Sequence, residues 1–383
     1  MILAALAAVL LAGVIIVAAM GPYDARGLEY EVNEDGVTCT ITGIGSCKAK
    51  RVNIPEYMDG YKVTAIGKNV FYNYGIPKSD DSQNQKKGKL KEVTIPESVT
   101  SIGSGAFYGC NQLKTVKLPD GLKKLGTAAF DGCTSLNHVV LPDTLEFLGD
   151  MVFHNCYSLE SMIIPDSITK IGQGMFYDCK ALKALRFSDK VTEIGRLAFY
   201  GCASLKEIVI PDGVTEIMDW TFAHCSSLER VTVPDGITRI GERAFSSCVN
   251  LESIRIPDGV TEIVNHAFFE CKKLTEITLP DSVTTVGVNA FSDCLALTSV
   301  KFSESLTAIG SRTFDGCVSL QSVMVPLSVK KLGQAIFASS GLKELHYEGT
   351  VAEWNAMEKD DGWYAITELT EIICSDGKVA LAK

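Results

Sequence analysis

The sequence has few residues of the kinds that carry catalytic or metal chemistry. Five of its 383 residues are histidine, and none has the His-Glu-x-x-His spacing of a zinc hydrolase or stands with Ser and Asp in a nucleophile elbow. It has no Cys-x-x-Cys pair to suggest zinc, no glycine-rich phosphate loop and no calcium-loop spacing. We therefore predict no catalytic residue, no metal site and no cofactor.

Positive charge is also scarce. The chain has 36 Lys and Arg against 46 Asp and Glu, which gives a formal net charge of -10. A nucleic-acid-binding face needs a concentration of basic residues. The basic cluster of the sequence, Lys86, Lys87, Lys89 and Lys91, follows a polar stretch and is interpreted as a solvated loop. The composition therefore predicts no nucleic-acid partner.

Residues 2–20 form an uninterrupted run of apolar or small residues. A run of about 18 or more such residues is long enough to span a bilayer. Val17 and Ala19 fit the -3 and -1 positions of a signal-peptide cleavage site, whereas the length also fits an uncleaved anchor. We expect residues 1–20 to be a signal peptide or a membrane anchor. The protein is then extracellular or at the cell surface, and it meets a membrane through residues 2–20 alone if they are not cleaved.

From residue 90 the sequence repeats every 23 residues, so that residues 90–112 are followed by the matching residues 113–135, and so on into the 330s. Phe recurs in one column, and Cys recurs three residues later in all units but the last. The Phe column comprises residues 107, 130, 153, 176, 199, 222, 245, 268, 291, 314 and 337. The Cys column comprises residues 110, 133, 156, 179, 202, 225, 248, 271, 294 and 317.

Each unit is interpreted as one coil of a solenoid. In the coil that begins at Leu113, alternation places Val116 and Leu118 inward, and Pro119 ends the strand because it cannot donate to a ladder. The Asp-Gly pair that follows is typical of a turn. One coil buries too few side chains to offset the entropy of ordering its backbone, so the coils must stack and the ends need caps.

The predicted fold class is therefore an α/β solenoid, mostly β, of about twelve 23-residue coils with a parallel sheet on its concave side. Residues 28–53 are expected to form an N-terminal cap, a hairpin around Glu34, Asp35 and Gly36 that covers the first coil. The solenoid is expected over residues 54–347, with an irregular first coil and a polar loop at 72–88. Residues 348–383, where the period dissolves, are expected to form a C-terminal cap.

Ten of the thirteen cysteines lie in the repeated column. If the coils pair as parallel strands, these side chains are about 4.8 Å apart with parallel Cβ vectors, which is poor geometry for a disulfide. We interpret them as buried thiols that act as small hydrophobic groups. Cys39 and Cys47 lie outside the column and could pair with each other.

The motif L-x-x-V-x-I-P-x-x-V-x-x-I-G-x-x-A-F-x-x-C, as in residues 251–271 and 274–294, resembles the BspA-like (Treponema pallidum-type) leucine-rich repeats of bacterial surface proteins. The resemblance covers about residues 28–375. It implies a leucine-rich-repeat fold and a role in adhesion to host proteins or other cells, and none of the motif positions is a catalytic residue. The sequence departs from the motif at Met218 and Val264, which are usually Gly, and at Ser188 and Ser303, which are usually Pro.

Residues that vary between coils suggest two candidate binding surfaces. The first, here called the front strip, is an apolar strip with polar edges on the outward side of the predicted concave strands; it comprises His138, Val140, Ile163, Ala184, Arg186, Val209 and Arg230. The competing explanation is that β-branched residues simply suit strands. The second, here called the turn-edge patch, lies on the returning side; it comprises Tyr177, Leu197, Tyr200, Trp220, Arg243, His266 and Phe269. Its competing explanation is edge packing over the irregular positions 218 and 264.

These features together predict a cell-surface or secreted protein that is not an enzyme. Its expected role is binding or adhesion, with a protein or glycan of the host matrix or of neighbouring cells as the partner. The alternative is a self-associating subunit of a surface layer or filament, in which residues 2–20 serve as the assembling helix.

Overall fold

The computed structural model describes residues 25–72, 90–365 and 367–381. The apolar run at 2–20 and nearly all of the loop expected at 72–88 lie outside the described residues. No helix within the described ranges is long and apolar enough to cross a membrane. The described chain is a mostly-β solenoid with almost no helix, as the repeat predicts.

The N-terminal part contains β1 (Glu29–Val32), β2 (Thr38–Gly43), β3 (Arg51–Asn53), β4 (Tyr57–Met58) and β5 (Tyr61–Ile66). The repeat begins with β6 (Glu92–Thr94), β7 (Ser101–Ile102), β8 (Thr115–Val116), β9 (Lys124–Leu125), β10 (His138–Val139), β11 (Phe147–Leu148), β12 (Ser161–Ile163), β13 (Lys170–Ile171), β14 (Ala184–Arg186), β15 (Glu193–Ile194) and β16 (Glu207–Val209). It continues with β17 (Glu216–Ile217), β18 (Arg230–Thr232), β19 (Arg239–Ile240), β20 (Glu262–Ile263), β21 (Glu276–Thr278), β22 (Thr285–Val286), β23 (Ser299–Lys301), β24 (Ala308–Ile309), β25 (Ser322–Val325), β26 (Lys331–Leu332) and β27 (Glu344–Tyr347). The C-terminal part contains α1 (Val351–Ala356), β28 (Glu358–Lys359), β29 (Glu371–Cys374) and β30 (Gly377–Ala380).

The L-x-x-V-x-I segments form the front sheet, in which strands of successive coils run parallel, as predicted. The ladders pair β3 with β6, β8 with β10, β12 with β14, β16 with β18, β21 with β23, β25 with β27, and β27 with β29. In β12, Met162 is buried while Ile163 on its C-terminal side is exposed, which is the expected alternation. The front sheet is therefore a row of short ladders separated by breaks.

A second parallel stack, the return sheet, is formed by the segments that end at the repeat glycine. Its longest run is β17-β19-β20-β22-β24-β26-β28, and β2-β5-β7-β9-β11 forms another. Coils approach each other closely just after these strands, where a Cβ at Gly126 would lie 2.5 Å from the backbone nitrogen of Ser104. At Gly126 the close approach of the coils therefore leaves no room for a Cβ.

The remaining side of each coil is a turn that carries the Ala-Phe and Cys positions. Two residues four apart in this turn adopt left-handed backbone angles, for example Trp220 and His224, both with φ of 61°. The backbone N–H of Trp220 donates to the carbonyl of Glu242 in the next coil at 2.8 Å, and that of Phe222 donates to Ala244 at 2.8 Å. This turn edge thus supplies a third coil-to-coil ladder, at the cost of left-handed backbone in residues other than glycine.

The Phe column fills the core as one continuous stack of parallel rings. Successive ring centroids are 5.1–6.0 Å apart, and the planes differ by 1–11°. The rings of Phe199 and Phe245 are completely buried. Stacked rings at this spacing add to the free energy of burial, so the Phe column joins each coil to the next.

The Cys column forms a second ladder that the sequence interpretation missed in part. Each of its ten thiols is buried, and each Sγ lies 3.1–3.3 Å from the carbonyl oxygen of a Phe in a preceding coil. Burial raises the pKa of the Cys225 thiol to about 12. All thirteen cysteines lie among the described residues, and none of them, Cys39 and Cys47 included, is in a disulfide.

The number of coils is larger than predicted, at about 14 turns instead of about twelve. Both ends continue the stack instead of merely covering it. At the N-terminus β1 and β2 form an antiparallel hairpin, and β2 also pairs in parallel with β5. At the C-terminus β28 extends the return sheet and β29 extends the front sheet, before the antiparallel strand β30 closes it. These end segments lack the repeat motif, so the number of coils inferred from the 23-residue period does not include them.

Candidate binding surfaces

The front strip lies on the outward side of the front sheet, as its alternation predicts. Val140, Ile163 and Val209 are 53%, 42% and 64% exposed, which is high for branched apolar side chains that are not in contact with a partner. Parallel pairing of β12 with β14 sets Ile163 beside Arg186 and Ser161 beside Ala184. The structure therefore places the apolar residues of the strip on one face of neighbouring coils.

The charged members of the front strip differ in their surroundings. Arg230 is exposed and pairs with Glu207 at 3.1 Å and with Glu229 at 3.9 Å, so its charge is already compensated. Arg186 is exposed and forms no ion pair with any other described residue. His138 is half-buried and begins the strand β10. The strip therefore has one compensated and one uncompensated guanidinium along an apolar row.

A groove of about 430 Å³ opens on the front strip between β10 and β12. These are consecutive front strands, and the order of hydrogen-bonded strands has a break between them. The groove is lined by His138, Val140 and Ile163 of the strip and also by two carboxylates, Asp120 and Asp143. A concave apolar site with a few polar groups at its margin is the usual form of a ligand site.

The sequence interpretation missed Asp120 and Asp143 as site residues. Both belong to the residues after the repeat proline, which were interpreted as turn formers only. Both are exposed, and they follow the front strand in two successive coils. The sequence does contain a signal for these residues. An acidic residue follows the repeat proline in coil after coil, while the outward strand position changes from charged Lys117 to apolar Val140 and Ile163.

The turn-edge patch has a different character, because its rings cover one another. Tyr177 and Tyr200 stack with centroids 4.5 Å apart and planes at 6°, and His154 stacks on the other side of Tyr177 at 4.6 Å. The guanidinium of Arg243 lies over the ring of Trp220 at 4.6 Å. Since the ring faces are occupied within the chain, this surface mainly presents ring edges to solvent.

All seven residues of the turn-edge patch are half-buried. The backbone of Leu197, Trp220, Arg243 and His266 is left-handed, with φ between 53° and 61°. Other coils hold the same angle at the same position, as in Ala128 with φ of 55°, so this strain is a property of the repeat and not a mark of a site.

His266 shows how tightly the turn edge is packed. Burial, and secondarily the charge of Arg243, lowers the pKa of the His266 imidazole. Its Nε2 lies 3.2 Å from the side-chain nitrogen of Asn289, which fits a neutral ring that accepts at Nε2. The imidazole contacts the ring of Phe269 edge-on at 5.8 Å. These contacts favour edge packing as the explanation of the turn-edge patch.

Within the described ranges no group of three or more His, Cys, Asp and Glu side chains is placed to hold a metal ion. The closest acid–imidazole pair of the turn edge is His154 with Asp131, whose Nδ1 and Oδ1 are 2.9 Å apart. Asn155 contacts the same ring nitrogen at 2.8 Å, and the ring is stacked on Tyr177. This pair therefore has a packing role.

Comparisons with known proteins agree with the coil architecture. The model of the BspA type leucine rich repeat region matches the chain in six copies, over residues 80–202, 146–274 and 238–357. No curated protein matches the chain in sequence.

Two solved structures are similar over nearly the whole chain. A leucine rich cell surface protein of Faecalibacterium prausnitzii A2-165 is 30% identical, with a TM-score of 0.59, and the match covers 90% of this chain and 100% of that one. A leucine-rich repeat protein of Bacteroides ovatus ATCC 8483 is 25% identical, with a TM-score of 0.61, and the match covers 92% of this chain and 100% of that one.

Proposed function

We propose that this chain, which belongs to the BspA-type leucine-rich-repeat family, is a cell-surface or secreted binding protein that carries out no catalysis. Its partner is a protein or glycan of a host matrix or of a neighbouring cell. The binding site is the front strip, and the turn-edge patch is a structural edge. Repeat solenoids expose long regular surfaces of this kind, on which variable positions determine what is bound.

The observation that carries this proposal is the exposure of the front strip. Val140, Ile163 and Val209 stand in solvent at the same position of their coils, and a groove of about 430 Å³ opens beside the first two. The core positions of these coils are taken by the neighbouring inward residues Val139, Met162 and Ile208, which are buried. Contiguous exposed apolar surface with a polar margin is typical of interaction sites.

The surface location has two supports. The apolar run at residues 2–20 fits an export signal or an anchor, and the similar Faecalibacterium protein is described as a cell surface protein. The net charge of -10 keeps an exported solenoid of this size soluble.

The test is adhesion of the full chain to deposited extracellular matrix and to intact bacterial cells. We expect saturable binding by the wild type and its loss in the variant Val140→Ser, Ile163→Ser, Val209→Ser. The matched control is Thr94→Ser, Thr232→Ser, Thr278→Ser, which changes the same outward column of other coils. Binding that survives in the first variant would remove the front strip as the site.

The alternative role, self-association into a surface layer or filament, has a separate readout. Sedimentation of the wild type at micromolar concentration would show concentration-dependent assembly, and the same triple Ser variant would abolish it if the front strip joins copies of the chain. If the wild type assembles but does not adhere to matrix or to cells, the structural role would replace the proposed binding function.

A further inference from the structure

We infer that the groove of the front strip takes a polypeptide segment of a partner in which Lys or Arg side chains alternate with apolar ones. This inference rests on the proposed binding function and selects a basic protein segment over a glycan. It depends on how acidic residues and outward residues are arranged along the front sheet.

One acidic residue follows the front segment, the stretch equivalent to L-x-x-V-x-I, in each of ten successive coils. The column, here called the acidic ridge, comprises Glu97, Asp120, Asp143, Asp166, Asp189, Asp212, Asp235, Asp258, Asp281 and Glu304, all of them exposed. Adjacent members are separated by about one strand spacing, roughly 4.8 Å, so the ridge concentrates negative charge along the margin of the front sheet.

Among the described residues, the chain itself supplies a cation to the ridge in two coils. The ammonium of Lys117 lies 2.6 Å from a carboxylate oxygen of Glu97, and the guanidinium of Arg255 pairs with Asp235. The hydrogen bond from Lys117 is the main cause that lowers the pKa of Glu97. In both pairs the cation lies 20 residues after the acid, at the outward position of the L-x-x-V-x-I segment.

At the groove that same outward position is apolar. Val140 lies 20 residues after Asp120, and Ile163 lies 20 residues after Asp143. Neither carboxylate forms an ion pair with any of the described residues, although both line the groove with Val140 and Ile163. Asp120 and Asp143 thus occupy the position that Glu97 has in the Lys117–Glu97 pair. Val140 and Ile163 occupy the position of Lys117, so the groove has apolar surface in place of the cation.

A partner that provides the missing cations completes this arrangement. The stem of its Lys or Arg would lie on Val140 or Ile163 while the charged head reaches Asp120 or Asp143, since such side chains bury their methylenes and keep their heads at polar groups. Because successive side chains of an extended segment point to opposite sides, a segment that lies edge-on would turn its cations to the ridge and its apolar residues to the rest of the strip. An acidic glycan or acidic peptide would instead be repelled by the ridge.

The experiment uses the full chain and a blocked peptide of alternating Lys and Val, about eight residues long, which is roughly 26 Å when extended. Comparison peptides alternate Glu with Val and Lys with Ser. We expect the Lys-Val peptide to bind best and the Glu-Val peptide not to bind. Raising the salt from about 0.05 to about 0.5 M should weaken Lys-Val binding, because exposed ion pairs are screened.

Three pairs of substitutions locate the site. Asp120→Asn with Asp143→Asn should weaken Lys-Val binding about fivefold, because two exposed ion pairs are lost. Asp258→Asn with Asp281→Asn removes the same charge from the same ridge away from the groove, and should change affinity by less than about twofold. Val140→Lys with Ile163→Lys should abolish Lys-Val binding, because the introduced lysines would pair with Asp120 and Asp143 as Lys117 pairs with Glu97.

Equal binding of the Lys-Val and Glu-Val peptides, absence of Lys-Val binding, or equal effects of the two Asn pairs would each overturn the inference. Matrix adhesion separates this result from the proposed function. If adhesion depends on Val140, Ile163 and Val209 but not on Asp120 and Asp143, the front strip is a binding site for another ligand, such as a neutral glycan. If adhesion is independent of all five residues, the proposed site fails as well.

Discussion

The Sγ of Cys202 lies 3.2 Å from the carbonyl oxygen of Phe176, 26 residues earlier in the chain and one coil earlier in the stack. The same contact recurs along the Cys column, for example from Cys225 to Phe199 at 3.1 Å. The thiols are therefore oriented donors as well as small apolar groups. A thiol is a weak hydrogen-bond donor, so this contact orients the cysteine side chain but adds little to the free energy of unfolding.

The buried Cys column should be chemically silent in the folded protein. We expect a thiol reagent to label few groups in native protein, because the thiolate is the reactive form and burial raises the pKa of these thiols. Denaturation should expose about ten more, which is the size of the column. Mass spectrometry that found several disulfides between Cys110 and Cys317 would contradict this.

Burial of the Cys column also predicts a loss of stability in alkali. The Cys225 thiol has a pKa raised from 9.0 to about 12, so the folded state holds its proton where the unfolded state releases it. The stability from this thiol is complete below pH 9.0 and is lost as the pH rises from there towards about 12. The slope for each thiol approaches ~1.4 kcal/mol per pH unit. Urea unfolding at a series of pH values measures it, and Cys225→Ala should have a smaller slope than the wild type.

Replacing a left-handed residue of the turn edge by glycine should stabilise the protein. Ala128 has φ of 55°, which costs an L-residue roughly 1–2 kcal/mol, whereas glycine costs roughly 0.5–1 kcal/mol in chain entropy. Ala128→Gly should therefore raise the free energy of unfolding by about 0.5–1 kcal/mol. Ala129→Gly is the matched control, because Ala129 is buried and lacks a positive φ; it should lower stability by about 1 kcal/mol. Two losses of equal size would refute the strain argument.

Truncating one ring of the Phe stack should be among the most costly single substitutions. Phe199 is completely buried between Phe176 and Phe222, with centroids 5.5 Å away on each side. We expect Phe199→Ala to cost about 3–5 kcal/mol of unfolding free energy, because it leaves a cavity between two coils. Phe147, which is 48% exposed on the return sheet, is the control, and Phe147→Ala should cost less than about 1 kcal/mol. Chemical denaturation of both variants tests the difference.

The front strip and the turn-edge patch should respond oppositely to substitution. Val140→Ser, Ile163→Ser and Val209→Ser should each change stability by no more than about 0.5 kcal/mol, since the side chains are in solvent. The pair Trp220→Ala and Phe269→Ala should destabilise, because Trp220 packs under Arg243 and Phe269 against His266. Once a ligand is identified, calorimetry on folded protein completes the comparison. If the aromatic pair abolishes binding while the triple Ser variant binds as the wild type does, the site belongs to the turn edge.

Much of the architecture could be predicted from the sequence because every coil repeats the same burial pattern. The inward positions of Phe199 and Met162 and the outward position of Ile163 follow from the period and from strand alternation. The coil count was wrong at the ends, where β2, β28 and β29 join the stack without the repeat motif. Strands can pair through backbone hydrogen bonds whatever their side chains are, so the repeat motif does not reveal the strands that pair at the two ends.

The 23-residue period by itself determined that this protein is a stack of coils, which side chains form its core, and that Val140, Ile163 and Val209 face solvent together. Only the tertiary structure decided what lies beside them. The groove between β10 and β12, the carboxylates of Asp120 and Asp143 at its margin, and the mutual covering of Tyr177 and Tyr200 all depend on contacts between different coils. The period of the sequence shows which column of the stack a residue belongs to. The distances between strands and the contacts between side chains of different columns are determined only when the coils pack against each other.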